Sequence, residues 1–121
     1  MMTQLTKAEE EIMQVIWRLG RCLVSDILPI VEEQRGEKTP QSTISSIVRI
    51  LEGKGFVSHK AYGRTHEYFP IISKEDYSKS TLSRFVSDYF EGSMSNLVSF
   101  LVKEEKLDMD ELSDLIEKMK D

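Results

Sequence analysis

Between Thr39 and Gly53 the chain reads TPQSTISSIVRILEG, and its polar positions can do one kind of chemistry well. At helical spacing Ser42, Ser46 and Arg49 share one face, with Thr43 and Ser45 flanking it. Serine side chains are short, so a helix carrying them can bring its backbone close to the floor of a DNA major groove. Their hydroxyls donate to phosphate oxygens or base edges. Arg49 is the residue of that face able to form a two-pronged pair with guanine O6 and N7, a contact that discriminates by about 1–3 kcal/mol. The positive end of the helix, beside Thr39 and Gln41, suits a phosphate. Further along, Lys54, Lys60 and Arg64 add cations: the lysines suit phosphates, and Arg64 suits a minor groove or the backbone. The competing readings are a solvated helix face for the serines, a surface pair with Glu52 for Arg49, and a loop cation for Arg64.

The elements that would position these groups follow from periodicity. Thr6-Lys7-Ala8-Glu9 is a capping box, followed by Ala8, Ile12, Val15, Ile16 and Leu19 at helical period and a stop at Gly20. Cys22-Leu23-Val24 has the look of a small strand, and Ser25-Asp26 opens a second helix that tolerates Pro29 near its first turn. Thr39-Pro40 reads as an N-cap with proline at the first helical position. Ile44, Ile47, Val48 and Leu51 then face a core, and Gly53-Lys54-Gly55 stops the helix. Phe56–Ala61 and His66–Ile71 are strand-like runs around Tyr62-Gly63-Arg64-Thr65, which predicts a hairpin, with Pro70 near an edge. Three helices and then a hairpin is the order of a winged helix-turn-helix.

After Ile72 the character changes. Ser73–Asp76 is another capping pattern, Leu82, Phe85, Val86, Tyr89 and Phe90 form an apolar stripe, and Gly92 ends it. Met94, Leu97, Val98 and Leu101 form a second stripe, and Asp108–Glu111 caps a last helix bearing Leu112, Leu115, Ile116 and Met119. A helical tail this small seldom encloses a sufficient core of its own. The expectation is therefore a mainly α protein with a small β-hairpin wing: residues 1–72 a winged helix-turn-helix DNA-binding domain, and residues 73–121 a helical region that dimerises through those apolar positions.

Charge and composition narrow the function. The chain of 121 residues has a net charge of −5, yet residues 1–72 hold 9 Lys and Arg against 9 Asp and Glu, while residues 73–121 hold 7 against 12. Within 35–67 the balance is 6 basic to 3 acidic. Screening limits each charge to roughly 8–10 Å, so this local patch governs phosphate contact. No apolar run approaches the roughly 20 residues of a membrane span, and no basic-then-apolar leader opens the chain, so a cytoplasmic protein away from the membrane is expected. Cys22 is the single cysteine, which precludes an internal disulfide. Cys22, His59 and His66 lack the paired, tight spacing that zinc sites use, so no metal is expected, nor any other cofactor. Tyr62, Tyr68 and Phe69 sit near cations, but their alternation suits packing better than base stacking. No phosphate-binding glycine loop, H-E-x-x-H or nucleophilic triad is present, so an enzyme is not expected.

Three segments, LTKAEEEIMQVIW at Leu5–Trp17, TISSIVRILEGKGFV at Thr43–Val57 and HKAYGRTHEYFPIIS at His59–Ser73, resemble the BlaI/MecI penicillinase-repressor family of bacterial transcription regulators. The likeness spans nearly the whole chain. It implies an N-terminal winged helix with Thr43, Ser46 and Arg49 on the recognition helix, a C-terminal dimerisation region, and repression at a palindromic operator. It also implies a membrane-bound sensor protease as a partner, acting at an Asn-Phe bond whose place here falls at Phe100-Leu101, where that pair is missing. The copper-responsive branch carries a C-terminal cysteine cluster, and no cysteine follows Cys22. Pro29 and the Thr39-Pro40 placement also depart from the family pattern. The leading expectation is a homodimeric, sequence-specific repressor of double-stranded DNA. The rival is a winged-helix protein-interaction module, which the acidic total would suit and which the salt dependence of DNA binding separates from the first.

Overall fold

The computed structural model describes residues 3–104, together with 108, 110, 111, 113, 114 and 117. Its elements are α1 (Lys7–Leu19), α2 (Val24–Arg35), α3 (Gln41–Gly53), β1 (Val57–Tyr62), β2 (Thr65–Pro70), α4 (Lys74–Phe90) and α5 (Met94–Lys103). This is a winged helix-turn-helix followed by a helical region. The chain divides into two compact units, Met1–Ser80 and Thr81–Asp121.

The first unit is organised by α1. Glu9 donates its N–H to Thr6 Oγ1 at 3.2 Å, and its carboxylate accepts the Thr6 N–H at 3.0 Å, so two otherwise orphaned donors are satisfied reciprocally. Ile12, Met13, Val15 and Ile16 are buried, whereas Ala8 and Leu19 are exposed; the core-facing stripe is set by the bulkier residues between them. Ile27 and Val31 from α2, Ile44, Val48 and Leu51 from α3, and Phe56 complete the core. Full burial of each such side chain contributes about 1.5–3 kcal/mol.

The compact unit extends past Ile72 because the first turns of α4 belong to it. Tyr77 is 7% exposed, packs edge-on to Phe56 at 5.5 Å and beside Trp17 at 5.8 Å, and its hydroxyl accepts the Leu5 N–H at 3.1 Å. The Trp17 indole N–H donates to the Ile72 carbonyl at 2.8 Å.

Three local expectations are corrected. Cys22 is not part of a small strand with Leu23 and Val24. It makes a single antiparallel bridge to Tyr68, with N–H to O distances of 2.9 and 2.7 Å, while Leu23 is already the N-cap of α2. Pro29 lies in the second turn of α2, beyond the first-turn positions whose N–H groups lack intrahelical partners, so the Ser25 carbonyl has no i+4 N–H donor. Thr39 does not cap α3: Pro40 is the N-cap, in extended conformation, and the helix begins at Gln41. Thr39 is instead 7% exposed, its N–H donating to the Glu32 carboxylate at 2.9 Å. Extended backbone before a proline favours this tuck.

The hairpin pairs Val57 with Pro70 through Tyr62 with Thr65, so Gly63-Arg64 forms a two-residue turn. Gly63 has φ +64° and Arg64 is not among the positive-φ residues, the backbone of a II′ turn, which glycine at its first central position permits.

In the second unit, Phe85 contacts Tyr89 at 5.1 Å and Phe90 at 5.7 Å, and Phe90 contacts Phe100 at 5.5 Å. Val86 is buried, while Phe90, Leu97, Val98 and Leu101 are half-buried. Leu82, Phe85 and Tyr89 are exposed, Tyr89 at 73%. Ser93 caps α5 by accepting the Asn96 N–H at 3.1 Å, and Asp108 accepts the Glu111 N–H at 2.7 Å. Leu112, Leu115, Ile116 and Met119 lie outside the described residues. Among the described residues, no helix is long and apolar enough to cross a membrane.

Candidate nucleic-acid interface

The amphipathicity of α3 follows its sequence: Ile44, Val48 and Leu51 are buried, Ile47 packs against the core, and Gln41, Ser42, Thr43, Ser46 and Arg49 are exposed, with Ser45 half-buried. The exposed residues form two ridges, because positions four apart stack along a helix. Gln41, Ser45 and Arg49 make one, and it turns into a groove of about 430 Å³. The opposite walls of the groove are Leu23, Val24 and Ser25 at the start of α2, and Arg64, Thr65, His66 and Tyr68 of the wing.

The wing is fastened so that these groups converge. The Cys22–Tyr68 bridge ties β2 to the entry of α2. On the same face of the hairpin, His59 Nδ1 lies 2.5 Å from Glu52 Oε2 of α3, and the His59 and His66 rings stack at 4.2 Å. Glu52 is therefore engaged with the wing, and Arg49 stands in the groove with Arg64 and His66. Burial raises the Tyr68 hydroxyl above the ordinary phenol range, the Glu52 carboxylate adds to this and Arg49 opposes it, so Tyr68 stays a neutral donor. Two guanidiniums, an imidazole and the positive end of α2 meet at one concavity, which is an environment for a phosphodiester.

The remaining sequence candidates are distributed unevenly. Lys60 is exposed and lies over the Tyr62 ring at 5.4 Å. Lys54 sits at the C-cap of α3, with Nζ 2.6 Å from Glu9 Oε1, so its ammonium already has a carboxylate. Thr39 is buried and stands apart from the exposed ridges. Of the three aromatics weighed for stacking, Tyr68 is core, Phe69 lies under Arg21 at 4.7 Å, and Tyr62 remains 54% exposed. Sequence reasoning did not single out Ser25, Thr65 or His66 as groove residues. The two-residue alternation of β2 places His66 with Tyr68, but the approach of the α2 terminus depends on tertiary packing. Among the described residues no group of three or more His, Cys, Asp or Glu is placed to hold a metal ion.

The chain is 27% identical over 112 residues to the methicillin resistance regulatory protein MecI of Mammaliicoccus sciuri, covering 93% of this chain and 89% of that protein. It is 26% identical to the penicillinase repressor of Bacillus licheniformis, covering 93% of this chain and 86% of that one. The solved DNA-binding domain of the repressor BlaI superposes with a TM-score of 0.53 at 28% identity, covering 64% of this chain and 94% of that one. RosR of H. salinarum shares the fold at a TM-score of 0.57 and 20% identity, covering 85% of this chain and 94% of that one. The family model described as penicillinase repressor matches residues 5–121, so the chain belongs to the penicillinase repressor family, which is made up of transcriptional repressors and not enzymes.

Proposed function

We propose that this protein is a homodimeric repressor that lays α3 of each protomer in a major groove of a near-palindromic operator. The observation that carries the reading is the convergence of Arg49, Arg64 and His66 on one groove beside the hydroxyl-rich face of α3, in a chain whose total charge is −5. The groove takes a backbone phosphate, and the neighbouring exposed ridge takes base edges. Arg49 then acts as a clamp on the backbone, not as a reader of guanine.

Pairing of two copies is supported by the second unit, whose Leu82, Phe85, Tyr89, Met94 and Phe100 are each 44% exposed or more. Apolar side chains this concentrated in a small helical segment gain most by covering one another in a second copy. The division of labour is a winged-helix domain over residues 1–72, whose core the first turns of α4 join, and a dimerisation region within residues 73–121. Two-fold symmetry places the half-sites about 10 bp apart or a multiple of this. A sensor protease acting at Phe100-Leu101 would need local unwinding, because that bond lies within α5.

The test is selection of the protein's own genomic DNA at about 0.15 M salt, near the physiological screening regime. Recovery of one near-palindromic motif, with affinity falling steeply as salt rises, supports the reading. Sequence-blind recovery would overturn it in favour of a winged helix that serves protein contacts.

A further inference from the structure

We propose that Ile50 is a specificity-determining residue that reads thymine 5-methyl groups in the major groove. The inference rests on the DNA-binding reading above and adds a base preference to it. A single exposed isoleucine is ordinary on a protein surface, but this one has a particular place. Its neighbours Ile44, Val48 and Leu51 are fully buried, whereas Ile50 is 46% exposed. It lies four positions after Ser46 and eight after Ser42, so these three exposed residues share the second ridge of α3.

That ridge lies beside the one that turns into the phosphate groove, and it carries no charge. Arg49 and Arg64 both line the groove, so the ridge beside it offers hydroxyls and methyls only. The major-groove edge of thymine presents an O4 acceptor and a C5-methyl, which is what a hydroxyl followed by an aliphatic side chain matches. A β-branched side chain is stiff at χ1, so little rotamer freedom is lost when it seats against a methyl. A guanine, with two acceptors and no methyl, gains nothing from Ile50.

The experiment uses the full chain and the tightest duplex recovered from its genomic DNA. Thymines of one half-site are replaced singly by deoxyuridine, which removes only the 5-methyl. Binding is measured with the native protein and with Ile50→Ala, whose folding is checked by thermal melting. The expected result is a loss of about fourfold for the native protein at one or two positions, the effect of one unburied methyl. Ile50→Ala should be indifferent to uracil at those same positions. Native binding insensitive to every replacement would overturn the inference without needing the variant. An undiminished uracil effect in Ile50→Ala would assign the reading elsewhere and overturn it too. Specific binding without a methyl effect would sink this inference alone, and absence of any specific duplex would sink the repressor reading with it.

Discussion

Lys54 Nζ lies 2.6 Å from Glu9 Oε1, joining the end of α3 to the first turn of α1. The same carboxylate accepts the Thr6 N–H, so Glu9 is both half of a capping box and half of an ion pair. Its side chain is only 9% exposed, and the pair with Lys54, with help from Thr6, holds the carboxyl below its ordinary range against the opposing effect of burial.

Removing the charge at Glu9 breaks the pair while a glutamine oxygen still accepts the Thr6 N–H of the capping box. Glu9→Gln should destabilise the fold by about 1–2 kcal/mol, the loss of a charge-assisted hydrogen bond to Lys54, measured by urea unfolding. Because the folded carboxyl is depressed, its contribution is complete above the unfolded value of roughly 4.3 and disappears as pH falls through the folded value. The stability difference between native protein and Glu9→Gln should accordingly be constant near neutrality and shrink below about pH 4. A difference that persists undiminished at pH 2.5 would contradict the assignment.

Arg49→Ala and Arg64→Ala should each weaken DNA binding across all sequences and lower the salt slope by about 0.9, one phosphate contact apiece. Sequence preference should be retained. A change of preferred base in Arg49→Ala would show that this residue reads guanine instead.

The Cys22 thiol is buried at the bridge to Tyr68, and burial, reinforced by Asp26 and Glu67, raises its pKa to about 11. The thiolate is the reactive form, so native protein at pH 8 should resist alkylation by iodoacetamide and react fully in denaturant. Rapid labelling of native protein would mean that the wing root opens from α2.

Tyr77→Phe should cost about 1–2 kcal/mol, because the lost hydroxyl leaves the buried Leu5 N–H unsatisfied and releases Glu10. Its DNA affinity should be unchanged under conditions where the variant is fully folded. A parallel loss of affinity would couple the start of α4 to the interface.

Phe85→Asp combined with Tyr89→Asp should shift sedimentation from dimer to monomer at micromolar concentration and leave the first unit's melting intact. Both rings lie in the exposed aromatic cluster of α4, whose contacts run to Phe90 and Phe100. A variant that still sediments as a dimer would place the pairing surface elsewhere.

Local patterns in the sequence determined the elements. The Thr6–Glu9 box, the 3.6-residue spacing of Ile44, Val48 and Leu51, and Gly63 in its turn each act within a few residues, so helix, core face and hairpin were all legible before any folding. The hydroxyl face of α3 was legible for the same reason. Tertiary packing decided what lies opposite that face. Glu52 reaches His59 and not Arg49, Cys22 bridges Tyr68, 46 positions further along the sequence, and Lys54 finds Glu9, 45 positions before it. These partners are chosen by how three helices and a hairpin close around Phe56, a many-body constraint that no short-range period encodes. That closure made Arg49 a groove residue, drew Tyr77 into the first unit's core, buried Thr39, and left Ile50 facing solvent.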